Sequence, residues 1–383
     1  MASTKILRSN ADLKFLRLAS SLLIASLCIA ACAQPAAPTP VIFDTDMYTD
    51  IDDALALAML HSLHDRGEVK LLAVTISTDA PWIAPYIDLV DTFYRHPGIP
   101  IGIAHGGISS ARFSSSAPYS PNGINYTQYL AERKSPSGAL IYPHRLQQRS
   151  QAAEAVSLLR RTLAAQQDHT VVIIQVGYSS NLAKLLESQP DASSPLNGYD
   201  LVRQKVRLLS AMAGSFADCD VAGVHHPAGA PETNLLVDVP AAQTVFSRWP
   251  TDVVASGYEV GSQMRITQSD IDRYFSYAAH HPVADTYNYL APYYRKASKH
   301  PEAPHDHATY DLTSVLYAAR PSADYFSISA PGQITVLPNG GSTFQPSPTG
   351  HHRYLILTEA QKARALEAMV QLSSQPPATI SRH

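Results

Sequence analysis

Five carboxylates fall within ten residues in Asp44-Thr45-Asp46-Met47-Tyr48-Thr49-Asp50-Ile51-Asp52-Asp53. Carboxylates crowded this closely repel one another, so they either stay solvated or hold a cation. A hard, oxygen-seeking ion such as Ca²⁺ or Mg²⁺ suits them best. The stretch follows the apolar run Val41–Phe43 and leads into Asp52–His64, where Leu55, Met59, Leu60 and Leu63 recur on one helical face. A strand feeding a helix sets these acids at the strand's carboxyl end, where open α/β sheets bind ligands. The helix N-terminus is expected to keep Asp52 and Asp53 ionised. An EF-hand loop would need Gly at Thr49 and Glu at Leu55, and has neither. Two other readings stay open: a solvated acidic helix cap, and a phosphatase with Asp44 of Asp44-Thr45-Asp46 as nucleophile.

The elements that must position these acids read as α/β. Val41–Phe43, Val69–Ile76, Ile99–Ala104, Val171–Val176, Val206–Met212 and Asp252–Ser256 are predicted strands. Helical periods lie between them, at Ile83–Arg95, Ala152–Gln166, Ser180–Ser188, Ala241–Arg248 and Asp311–Ala319. This alternation implies βαβ units and a Rossmann-like, mostly parallel open sheet flanked by helices, in a single domain. Thr358 and Gln361 form a capping-box start for a last helix to about Leu372. Phe326–Leu357, with Pro338-Asn339-Gly340-Gly341 inside it, reads as a small appended C-terminal hairpin. Gly106–Ser150 and the His-rich Ala297–Ala308, with His300, His305 and His307, read as long loops.

Composition narrows the class. The 383 residues are 45% hydrophobic and 16% charged, which excludes general disorder and leaves room for a large core. Lys and Arg number 29 against 32 Asp and Glu with no basic block, so a nucleic-acid partner is not expected and a small-molecule site is. Residues 1–33 carry Lys5, Arg8, Lys14 and Arg17, then an apolar run from Leu18 to Ala31, the pattern of a cleaved export signal. Ile29-Ala30-Ala31-Cys32 resembles a lipobox that would lipidate Cys32, and Ala31-Cys32-Ala33 would serve ordinary cleavage. The chain is thus expected to be exported, as a periplasmic or outer-membrane-anchored lipoprotein or as a secreted protein. Residues 34–40 read as a linker, 41–373 as the domain and 374–383 as a tail. A mature chain keeps at most Cys32 and Cys219, so no disulfide framework is expected.

Four separated blocks carry a family resemblance. Asp44, Asp46, Asp52, Asp53, Ala54, Leu55, Ala56 and Leu57 are similar to the D-x-D-…-D-D-A-x-A-L signature of the inosine/uridine-type nucleoside hydrolases, in the longer-spaced form D-T-D-M-x-x-D-x-D-D. Val176-Gly177-Tyr178-Ser179-Ser180-Asn181-Leu182-Ala183 resembles that family's G-P-L-T-N-L-A turn, and Met212-Ala213-Gly214-Ser215 its M-G-G segment. Glu232-Thr233-Asn234-Leu235-Leu236-Val237-Asp238 resembles its E-F-N-x-x-x-D stretch, and Tyr310-Asp311 stands where the family has His-Asp or Trp-Asp. The blocks occur in the family's order between Val41 and about Arg320.

The resemblance implies that Asp46, Asp53, Asp311 and the backbone carbonyl of Ser180 hold Ca²⁺ with bound water, and that Asp46 is the general base. It implies that Asp52, Glu232, Asn234 and Asp311 take the ribose hydroxyls. The implied reaction is hydrolysis of a ribonucleoside's N-glycosidic bond to ribose and free base. Such a reaction passes through an oxocarbenium-like sugar, which a carboxylate-rich pocket stabilises. Departures from the family pattern are Tyr48-Thr49 in place of Gly-Asn and Tyr310 in place of His or Trp. Tyr310, His305 or His307 could donate to the leaving base. Tyr178 could stack on that base or pack against the sheet. His305-Asp306-His307 lacks the further ligands of a zinc site, and His225-His226 reads as surface loop. The family also implies a homodimer or homotetramer. A catalytically silent sugar or nucleoside binding protein is the alternative from another class.

Overall fold

Val41, Ile42 and Phe43 alternate across a sheet buried on both faces, and this sets the two cores of the molecule. Val41 and Phe43 join Val172 and Ile174 in one apolar cluster, whereas Ile42 joins Val171 and Ile173 in the other. Side chains two apart on a strand share a face. Both faces are apolar because helices cover both, as parallel sheets require. Each fully buried Val, Ile or Phe in these clusters contributes about 1.5–3 kcal/mol of transfer free energy.

The structure, a computed structural model, describes residues 37–47, 50–108, 125–297 and 305–378. The proposed export segment with Cys28 and Cys32, linker residues 34–36, Tyr48, Thr49, His300 and the last five residues lie outside these. In chain order the strands are β1 (Thr39–Thr45), β2 (Val69–Thr78), β3 (Ile101–Ile108), β4 (Ala153–Glu154), β5 (Val171–Gln175) and β6 (Val206–Met212). β7 (Cys219–Val221) and β8 (Val224–His226) form a separate hairpin, and β9 (Asp252–Ser256) returns to the sheet. β10 (Arg265–Ile266) pairs with β11 (His307–Ala308). Last come β12 (Ser327–Ile328), β13 (Gly332–Val336), β14 (Ser342–Pro346) and β15 (His352–Ile356).

The sheet order is β14-β13-β15-β9-β6-β5-β1-β2-β3-β4, with β12 on β15. From β4 to β15 every described pairing along this path is parallel, and β13 and β14 add an antiparallel margin. The chain winds outward in both directions from β1 and β5, so the gap beyond their carboxyl ends is a topological switch point. The expected parallel α/β architecture is therefore present. The expected C-terminal hairpin is β13–β14, but it is not merely appended: β15 enters the main sheet beside β9.

Helices that bear on the site are α1 (Asp52–Asp65), α2 (Ser180–Glu187), α3 (Thr233–Leu236), α4 (Val239–Arg248), α5 (Pro282–Ala297), α6 (Tyr310–Ala319) and α7 (Glu359–Ser373). α1 is buried from Asp52 to Leu63, on all sides rather than one, because α6 and α7 pack over its outer face. The Thr358–Gln361 capping box starts α7 as expected. Part of the predicted loop Gly106–Ser150 is helical, at Tyr126–Ala131, where the Asn125 side chain accepts from the Gln128 amide. Gln375 and Ala378 of the expected tail bond back to Arg66, Asp65 and Arg95.

A second polar cluster lies in the core, away from the acids. His61 stacks between Tyr94 and His96 at 4.9 and 5.4 Å, and its Nε2 meets Asp91 at 2.8 Å. Burial lifts Asp91 well above the usual carboxylate range and lowers His61 to about 3. His281 is 1% exposed, lies edge-on to Phe93 and Phe275, and is likewise pushed down to about 3 by burial. An unfolded chain binds the proton that the fold refuses. Stability is therefore whole above pH 6.5 and is lost as pH falls toward 3, by about 1.4 kcal/mol per pH unit for each such histidine. In thermal melts between pH 7 and 4 the buried carboxylates lifted to about 7 pull the opposite way, so the histidine share is read from the difference between parent and variant. His281→Phe should remove one proton's share of the fall, and an unchanged slope would place the acid sensitivity in other groups.

Candidate functional site

β1 delivers the acid-rich stretch to the switch point. Asp44 is the last inward carboxylate of the strand and is fully buried, where it accepts from Thr75 Oγ1 at 2.5 Å and Asn181 Nδ2 at 2.8 Å. Burial pushes it up to about 7. Asp44 thus ties β1 to β2 and α2 through Oδ1, a structural role that accounts for its place in the strand without a nucleophile.

The chain then turns at Thr45, whose hydroxyl accepts from Met47 N at 3.1 Å and donates to Asp53. Asp46, Asp52 and Asp53 are 6%, 2% and 2% exposed. Asp52 Oδ2 accepts from the backbone amides of Tyr310 at 2.9 Å and Asp311 at 3.3 Å, which draws the start of α6 onto the start of α1. In this arrangement Asp52, Asp53 and Asp311 each place a carboxylate oxygen within 4.8 Å of the others. Burial, reinforced by neighbouring carboxylates, lifts all three well above the usual range. Asp46 is pushed up to about 7, by burial first and then by Asp50 and Glu232, with the Tyr178 hydroxyl pulling the other way. The helix dipole was expected to hold Asp52 and Asp53 ionised; desolvation and mutual repulsion outweigh it. Such carboxylates must share protons or hold a cation, so the donor set fits a divalent ion bound through oxygen.

The turn after β5 reaches the same place. Gly177 runs so close to β1 that an added Cβ would stand 2.5 Å from Asp46 N and 2.7 Å from Ser77 Oγ. Gly177→Ala must therefore push the two loops apart, at about 1–3 kcal/mol, and should lower turnover with it. A variant as active and as stable as the parent would show that the loops move freely. Tyr178 is fully buried beneath Asp46, so it packs rather than offering an open face to a base. Ser180 opens α2 with its hydroxyl donated to Asp238, which also caps α4 through Ala241 N. The described side-chain contact of Ser180 is thus to Asp238.

Glu232 and Asn234 clamp the ends of β5 and β6. Glu232 caps α3, accepting from Asn234 N at 2.8 Å, Leu235 N at 3.3 Å and Gly214 N at 3.1 Å. Burial nevertheless pushes it up to about 7. Asn234 Nδ2 donates to the carbonyls of Val176 at 2.9 Å and Met212 at 3.1 Å. Both side chains are therefore held in place before any ligand arrives.

Tyr310 stacks on Tyr258, with ring centroids 5.4 Å apart, and Tyr258 lies 4.8 Å from the His226 ring. Of the two histidines considered for the leaving base, His307 meets the carboxylates and His305 lies behind it. His305 Nε2 is 3.2 Å from His307 Nδ1, stacks on Tyr294 at 4.6 Å, and is pushed down to about 3 by burial. The approach of His307 to Asp50 and the contact of Tyr178 with Asp46 were missed in the sequence. Their only signals were an alternating His-x-His and a tyrosine after a glycine.

A family model described as "Inosine-uridine preferring nucleoside hydrolase" matches residues 41–371. Comparison with curated proteins finds no match. Among solved structures, the purine-preferring ribonucleoside hydrolase from Gardnerella vaginalis is 16% identical, with a TM-score of 0.61 over 88% of this chain and 98% of that one. A plant nucleoside hydrolase is 17% identical, with a TM-score of 0.57 over 88% and 100%. The inosine-uridine preferring nucleoside hydrolase from Bacillus anthracis is 16% identical, with a TM-score of 0.55 over 88% and 99%. These likenesses concern the fold.

Proposed function

The chain belongs to the inosine-uridine preferring nucleoside hydrolase family, and from that premise we propose that it hydrolyses ribonucleosides to ribose and free base with Ca²⁺ as cofactor. The observation that carries this reading is the buried acid cluster at the carboxyl ends of β1 and β5, joined there by Asp311. Asp46, Asp53, Asp311 and the Ser180 carbonyl would hold the ion. Bound there, a divalent cation neutralises the crowded carboxylates and makes water more acidic.

The chain's own groups do the rest. Asp46 accepts the proton of the attacking water, and a carboxylate lifted by burial is a better base than a solvated one. Asp52 and Asp311 hold ribose hydroxyls, and their negative charge favours the sugar as positive charge develops on it. Glu232 and Asn234 take further hydroxyls, preorganised by their backbone clamps. Tyr310 or His305 donates a hydrogen bond to the departing base.

The test is incubation of the protein with inosine, uridine, adenosine and cytidine, in excess Ca²⁺ and again in chelator, with released reducing sugar measured. Calcium-dependent release is expected. Nucleoside binding without release would convert the reading to a silent binding protein. We also propose export behind a cleaved N-terminal segment, cut either before Cys32, which would then carry a lipid anchor, or after Ala33, with a residue 34–40 linker before a hydrolase domain over 41–373, and a homodimer or homotetramer. Mass spectrometry of the mature N-terminus and light scattering test these. Among the described residues no helix is long and apolar enough to cross a membrane.

A further inference from the structure

β11 carries His307 to the edge of the acid cluster, beside carboxylates the hydrolase reading leaves partly unused. His307 is 9% exposed, and its Nε2 is buried with no hydrogen-bond partner among the described residues. That atom lies 3.7 Å from Asp50 Oδ2. The separation is too long for a hydrogen bond. It suits two donors sharing one ion, since ligands about 2.0–2.2 Å from a metal stand roughly 3–4 Å apart. Asp52 completes the group: donor atoms of Asp50, Asp52 and His307 all lie within 4.8 Å of one another.

We propose that Asp50, Asp52 and His307 form a second cation site, adjacent to the all-oxygen site and selective for a first-row divalent ion of the zinc, cobalt or manganese class. The donor chemistry decides the class. Ca²⁺ takes oxygen ligands, whereas an imidazole nitrogen with two carboxylates suits borderline transition ions. The outer contacts already prepare the imidazole. His307 Nδ1 faces His305 Nε2 at 3.2 Å. In the tautomer with the proton on His307 Nδ1, that N–H donates to His305 Nε2 and the lone pair on Nε2 faces Asp50. Metal-binding histidines are commonly fixed through the second ring nitrogen in this way. The ion is additional to the one that hydrolysis requires, and the site does not depend on that reading.

Cobalt is the probe, because its visible absorption reports a nitrogen ligand without reference to activity. The full chain, stripped by chelator and saturated with Ca²⁺, is titrated with Co²⁺ while absorption and bound metal are measured. Retention of one Co²⁺ per chain with visible bands in excess Ca²⁺ is expected. His307→Gln should abolish the bands and Asp50→Asn should weaken Co²⁺ binding by at least about tenfold, with the melting temperature in Ca²⁺ checked for each. Asp50 is half-exposed, so its variant carries the test if the His307 variant does not fold. Failure to retain Co²⁺ in excess Ca²⁺, or unchanged bands and affinity in both variants, overturns the site.

Discussion

Asp46→Asn should lower kcat/KM for nucleoside hydrolysis by about 10²–10⁴-fold, the share usually supplied by a positioned general base, and should at the same time stabilise the cation-free protein. The two effects have one origin. Asp46 sits at a strand end, outside both apolar clusters, so the isosteric amide leaves the core untouched. Its carboxylate is buried beside Asp50 and Glu232, and its charge raises Asp53 and Asp311 as well. The folded-state value of about 7 lies above the usual 3.8. The wild-type protein in chelator is therefore stabilised below pH 3.8 relative to its state above pH 7, and each unit of the separation is worth about 1.4 kcal/mol. The amide carries no charge and escapes that penalty, so at pH 8 in chelator the variant should melt higher than the parent. Kinetics and melts on the same preparation decide the matter. Full turnover in the variant would remove Asp46 as the base. Loss of both turnover and stability would make it a structural acid.

What was legible in the sequence was local. β1 and α1 could be read because an apolar run, an acid cluster and a helical period follow each other within 25 residues. The remaining parallel strands announced themselves as short β-branched runs between helical periods. What was lost required long-range information. β15 could not be told from the far arm of a hairpin, because its parallel partner β9 lies about a hundred residues earlier. α5 was read past because Pro292 falls inside it and breaks the expected pattern. At Asp52 and Asp53 the helix N-terminus is opposed by burial, which lifts both carboxyls in the cation-free protein. A helix dipole offers at most about 2 kcal/mol, and burial among like charges exceeds it. Likewise the sequence could name His305 and His307 together, but only the pairing of β10 with β11 shows which ring turns toward Asp50.

Removing divalent cations should abolish turnover and lower the melting temperature, by more at pH 8 than at pH 5. At pH 8 Asp46 and Glu232, each lifted to about 7, have given up most of their protons beside the crowded Asp52, Asp53 and Asp311, and a cation offsets the repulsion. At pH 5 protons already occupy these groups and the ion must displace them, so its contribution shrinks. A ligand present at 100 times its dissociation constant adds about 2.7 kcal/mol, or on the order of 4 °C for a domain of this size. The histidines at 61 and 281 destabilise the fold at low pH whether or not the cation is present, so they cancel in the difference between melts with and without chelator. That difference, measured at both pH values, isolates the acid cluster. An equal shift at pH 5 and pH 8 would mean that the ion binds without displacing protons, and no shift at pH 8 would mean that the buried carboxylates are neutralised by protons alone.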